Sequence, residues 1–182
     1  MDNNDIILKS RDFFGSTTSE DLEQSYYDIC EFYKIPCEKE INWEEEEFVF
    51  NRLFVGPAAP LAPMVASAYL DPEARIHGVT TTDVRTFYYE LGLTLENEGK
   101  EPEDSLLHEL SICSYLSQTA KIKPECRDIY NKFLKFHFFL WVPEFISRAL
   151  NNAGDSVAVS KVLNLFSDWI IRETNKLLEG VL

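Results

Sequence analysis

A chain of 182 residues is long enough for one sizeable core and short for two, so residues 1–182 are read as a single domain. Hydrophobic residues at 45% and aromatic residues at 13% exclude a disordered or low-complexity chain. The 31 acidic residues against 17 basic ones leave a net charge of −14, the wrong sign for gripping nucleic acid or an anionic membrane surface; the surplus serves either a basic partner or solubility alone.

The first residues, MDNND, lack the basic region and apolar run of a secretory signal. The longest apolar stretches, 58–70 and 138–142, fall short of the roughly 20 residues that span a bilayer. A cytoplasmic protein is therefore expected. Cys30, Cys37, Cys113 and Cys126 form no C-x-x-C pair, so reduced thiols are expected rather than zinc ligands or disulfides.

Helical periodicity runs through most of the chain. Leu22, Tyr26, Ile29, Cys30 and Tyr33 share one face, behind a Thr17-Thr18-Ser19 cap with Glu20 and Asp21 in the first turn. Asn42 caps a second helix that carries Trp43, Phe50, Leu53 and Phe54 inward, with Glu45 at the capping-box position and Glu44 to Glu47 beside the positive end of the helix dipole. Gly56, Pro57, Pro60 and Pro63 then interrupt the chain, and a long ordered loop is predicted from Val55 to Tyr69.

Thr80 to Thr82 precede a helix whose inner stripe is Val84, Phe87, Tyr88 and Leu91 and which Gly92 ends. Pro102 is expected in the first turn of the next, with Leu106, Leu110, Cys113 and Ser117 in line. Pro124 opens a helix carrying Ile129, Tyr130, Phe133 and His137; Pro143 restarts or kinks the chain; and a final helix runs through Val159, Val162, Phe166, Trp169, Ile170, Glu173 and Leu177. No useful alternating strand is found, so the expected fold is all-α, with six or more helices.

Motifs of catalysis are missing. His108-Glu109 opens like H-E-x-x-H, but Ile112 stands where the second zinc ligand belongs. Ser105 and Leu134 stand three residues before His108 and His137, so a Glu-x-x-His di-iron bundle fails as well. No catalytic residue and no metal ligand is assigned. The segment that stands out, Glu101 to Leu110, reads EPEDSLLHEL and puts Asp104 and His108 on one helical face. Taken alone, it either stabilises a helix start, binds a ligand, or serves a nucleotide hydrolase through Asp104, His108 and Glu109.

This segment resembles the E-P-x-D-H signature of the TorD/DmsD family, the cytosolic chaperones of molybdenum-cofactor oxidoreductases. Three further blocks are similar in order and spacing: Arg52-Leu53-Phe54-Val55-Gly56-Pro57 followed by Tyr69-Leu70-Asp71-Pro72; Val84 to Leu93, reading VRTFYYELGL; and His137, Trp141, Pro143 and Phe145. Together they cover roughly residues 45–146. Two departures stand out. Ser105 replaces the signature histidine, and Pro63-Met64-Val65-Ala66-Ser67 replaces the relatives' P-P-Y-E-S.

The resemblance implies an all-helical chaperone that binds the twin-arginine signal peptide or the apo form of a DMSO- or TMAO-reductase-type enzyme, with weak guanine nucleotide binding in some relatives. A twin-arginine leader needs carboxylates beside an apolar groove. Glu101 and Asp104, with Pro102 and Ser105 in the same turn, are the expected arginine acceptors. Leu53, Phe54, Tyr69, Phe87, Tyr88 and Trp141 line the groove or pack the core, and Arg85 and His137 complete the site or pair internally with its acids. A helical adaptor unrelated to molybdoenzymes is the remaining alternative.

Overall fold

The computed structural model describes residues 3–73, 77–95 and 99–179. Among these residues the protein is all-α, as expected, apart from isolated bridge residues: Val65, paired antiparallel with Ser105, and Glu101. The helices are α1 (Asn3–Phe14), α2 (Ser19–Tyr33), α3 (Trp43–Phe50), the single turn α4 (Ser67–Leu70), α5 (Val79–Glu90), α6 (Leu106–Thr119), α7 (Glu125–Phe133), α8 (Phe139–Asn152) and α9 (Val157–Leu178). Two π-helical turns extend them: Asn51–Val55 continues α3, and Leu134–Phe138 joins α7 to α8.

Local chemistry explains most boundaries. Thr18 caps α2 by accepting from the Asp21 N–H, and Asn42 caps α3 by accepting from the Glu45 N–H. Gly92, at φ +72°, ends α5 with bonds from its own N–H to the Tyr89 carbonyl and from the Leu93 N–H to that of Tyr88. Gly56, at φ +118°, closes the first π-helical turn and leads into the proline-rich segment 56–66.

Three expectations need correction. Helix α6 starts at Leu106 rather than at Pro102, because the Ser105 hydroxyl accepts from the His108 N–H and supplies the cap. Helix α5 starts at Val79, and its first-turn donors are taken by the distant carboxylate of Asp71, which accepts from the Thr80 N–H at 3.1 Å and from its hydroxyl at 2.5 Å. Pro143 does not restart a helix: it lies inside α8, where its missing N–H would pair with the Phe139 carbonyl, at the handover from the π-helical turn.

Helix α1 has no counterpart in the sequence analysis. Its buried Ile6, Ile7, Phe13 and Phe14 share one face, two turns apart, but polar Ser10, also buried, interrupts the stripe between them. Packing explains it: Phe14 meets Phe54, Phe145 and Phe166 edge-on, with ring centroids 5.5–5.7 Å apart. Buried residues of α1 to α3 and α5 to α9 form one continuous apolar cluster. The segment 56–66 and α4 lie against it through Ala62, Ala66 and Tyr69.

Candidate functional site

The acidic turn 101–105 is built as a clamp. Leu106 donates to the Met64 carbonyl, Ala66 donates to the Asp104 carbonyl, and the Ser67 N–H donates to Asp104 Oδ2 at 2.7 Å. These bonds flank the Val65–Ser105 bridge and fasten the proline-rich segment and α4 to the start of α6. Asp104 is fully buried and its Oδ1 makes no hydrogen bond; Ser67 Oγ, Tyr69 OH and Thr81 Oγ1 are likewise buried without a partner among the described residues.

Glu103 ties the same turn to α5. Arg85 grips it with two parallel bonds, Nε to Oε1 at 2.8 Å and Nη2 to Oε2 at 2.9 Å, while the Tyr88 hydroxyl donates to the Glu103 carbonyl at 3.1 Å. Burial raises the Glu103 pKa, but Arg85 together with the backbone N–H donors of Glu103 and Gly99 outweighs it and holds the carboxyl below its ordinary value. Arg85 is thus an internal partner of an acid in this turn.

One turn into α6, Glu109 is completely buried. Its Oε1 lies 2.5 Å from His137 Nε2, and its Oε2 accepts from Trp141 Nε1 at 2.9 Å. Burial raises the Glu109 pKa against the pull of His137 and Trp141. Burial also disfavours charge on His137, yet the Glu109 carboxylate, helped by Asp104 and Asp83, keeps its pKa above the usual imidazole value.

The remaining site residues fall into separate groups. Glu101, with 59% of its side chain exposed, faces His108 at 3.4 Å. Leu53, Phe54, Tyr88 and Trp141 are core residues, none more than 4% exposed. Tyr69 packs on Trp141, with centroids 5.6 Å apart, and lies under the Arg148 guanidinium. Phe87 is half-buried and stacks on Phe133, with centroids 5.1 Å apart and planes 8° from parallel. Asp104, Ser105, Arg85 and Tyr88 therefore meet at one turn, and His137 and Trp141 meet one turn further on. Leu53 and Phe54 belong to the aromatic core with Phe14, Phe50 and Phe145.

Two hollows flank this polar spine. A polar one of about 490 Å³ lies between the α1–α2 turn and His108, lined by Arg11, Asp12, Asp21 and Gln24 among others. A mostly apolar groove of about 640 Å³ runs between α5 and α7, with His137 at its edge. Its Asp83, Glu90, Lys132 and Phe136 were not among the expected site residues; the signal available was the pair of apolar stripes on α5 and α7. Among the described residues no cluster of His, Cys, Asp and Glu is arranged to hold a metal, and no helix is long and apolar enough to cross a membrane.

An all-helical chain whose acidic turn fastens a proline-rich segment to its core matches the class expected from the four motif blocks. Compared with known families, the chain matches the nitrate reductase delta subunit family over residues 17–147 and belongs to it, among the TorD/DmsD-type chaperones. It is 31% identical over 105 residues to the Tat proofreading chaperone DmsD of Salmonella typhi, an overlap of 58% of this chain and 49% of that protein. It is 30% identical over 99 residues to the probable Tat proofreading chaperone DmsD of Haemophilus influenzae, covering 54% and 46%. The chain spans about half the length of these curated relatives.

Proposed function

We propose that this chain is a cytoplasmic, non-catalytic chaperone that binds the twin-arginine leader or apo form of a molybdenum-cofactor oxidoreductase of the DMSO/TMAO reductase type, and assists cofactor insertion before export. The family match carries this reading: it spans 131 consecutive residues, 17–147, including all four motif blocks. The charge of −14 supports it by favouring encounter with a basic leader. In the signature turn Glu101 is the exposed acid, whereas Asp104 and Glu103 are buried and bond Ser67 and Arg85.

A hydrolase built on Asp104, His108 and Glu109 is not supported by the geometry. Asp104 binds Ser67, His108 faces Glu101, and Glu109 is taken up by His137 and Trp141, so the three side chains point to three different partners. The test is calorimetry with candidate leader peptides, comparing Arg-Arg with Lys-Lys versions, alongside co-purification with candidate apoenzymes. Micromolar or tighter binding that weakens with Lys-Lys is the expected result. Failure of every molybdoenzyme leader and apoenzyme to bind sinks the reading.

A further inference from the structure

We propose that the groove between α5 and α7, rather than the signature turn, seats the apolar part of a basic client segment, with Asp83 and Glu90 receiving its arginines. This rests on the chaperone reading and adds the place and chemistry of binding.

The groove has an apolar floor and one acidic wall. Val84 and Phe87 of α5, with Leu91 just past its end, line the groove with Ile129, Phe133 and Phe136. Phe136 stands at the rim, 65% exposed, with the Lys135 ammonium over its ring at 5.2 Å, and extends the apolar floor to the groove's edge. At about 640 Å³ the space suits a few apolar side chains rather than a whole domain.

Charge selects the occupant. Asp83 and Glu90 are both exposed and lie seven residues apart on α5, so they stand on one face about 10 Å apart, at either end of the apolar strip. Lys132 opposes them from α7, and His137, already engaged by Glu109, completes the edge. A segment with apolar side chains pointing down and arginines on the α5 side matches this wall, and an acidic segment would be repelled by it. The buried signature acids then act from beneath: Glu103 fixes α5 through Arg85, and Glu109 fixes His137.

The test uses the whole chain and a leader peptide bearing Arg-Arg and its apolar stretch, measured by calorimetry. Asp83→Asn/Glu90→Gln and Phe136→Glu change exposed side chains only, and Glu44→Gln/Glu45→Gln, on exposed α3 positions, is the charge control. Both groove variants are expected to weaken binding at least tenfold beyond the control. Replacing the peptide arginines with glutamine should cost wild type tenfold or more and the Asp83/Glu90 variant little, because the two changes act on one contact. A peptide that binds wild type with both groove variants indistinguishable from the control overturns the groove assignment and leaves the chaperone reading standing. No binding of any leader to wild type overturns both.

Discussion

Glu109 and His137 meet end to end, Oε1 to Nε2 at 2.5 Å, with the carboxylate wholly out of water and its second oxygen bonded to Trp141. One side chain on α6 thereby fixes both the π-helical turn and α8. Glu109→Ala is expected to destabilise the fold by about 3–5 kcal/mol, since it leaves a buried indole N–H and a partly buried imidazole without their acceptor. Glu109→Gln keeps one acceptor oxygen and should cost markedly less. Urea unfolding measures both, and a loss under 1 kcal/mol for the alanine variant would remove the pair from the stabilising interactions.

The same pair sets a pH dependence. Folding raises the pKa of His137 above its ordinary value near 6.5, so the folded state binds the proton more tightly than the unfolded state. This contribution is complete below pH 6.5 and declines as pH rises through the folded pKa. In Glu109→Gln the carboxylate is gone and burial opposes the imidazolium, so the decline should vanish or reverse. Melting temperatures from about pH 5.5 to 8.5 compare the slopes. Parallel curves for wild type and Glu109→Gln would count against the linkage.

Arg85 and Glu103 carry the opposite sign. The Glu103 carboxyl is 1% exposed and its pKa is held down mainly by Arg85, so the stability it adds is present above pH 4.5 and is lost as pH falls through the folded pKa. Arg85→Gln leaves that carboxylate buried without its cation and is expected to cost roughly 3 kcal/mol at neutral pH, with a smaller penalty in acid. Arg85→Lys should restore only part, because an ammonium does not reproduce the two parallel bonds. Chemical denaturation at two pH values separates these outcomes.

How legible the molecule was depended on the range of the interaction. Helix periods, the caps at Thr18 and Asn42 and the stop at Gly92 are local, and each was readable from a few neighbouring residues. The motif blocks likewise pointed to the family. Internal pairing of Arg85 with one of these acids was readable as an alternative, and Glu103 is that acid; sequence order did not indicate that Asp104 bonds the Ser67 N–H, 37 residues earlier. The start of α5 is likewise set from outside its own residues, because the Asp71 carboxylate accepts from the Thr80 N–H. The groove arises only when the stripes of α5 and α7 come together, so Asp83 and Glu90 read as ordinary surface acids until then.

Glu46 makes the point as an experiment. The run Glu44 to Glu47 reads as acids at the positive end of their own helix, yet Glu46 is buried and its carboxylate reaches α9, accepting from Ser156 Oγ at 2.5 Å and from the backbone of Val157 at 2.7 Å and Val159 at 3.3 Å. It therefore caps a second helix 110 residues away, where an anion meets both N–H donors and the positive helix end. Glu46→Ala is expected to cost about 2 kcal/mol and Glu46→Gln about half of that, because the amide keeps one acceptor and loses the charge. Glu45→Gln, on an exposed neighbour, should stay within about 0.5 kcal/mol of wild type. Equal effects at Glu45 and Glu46 in denaturant titrations would mean that both act only on α3, and that the long-range cap contributes nothing measurable.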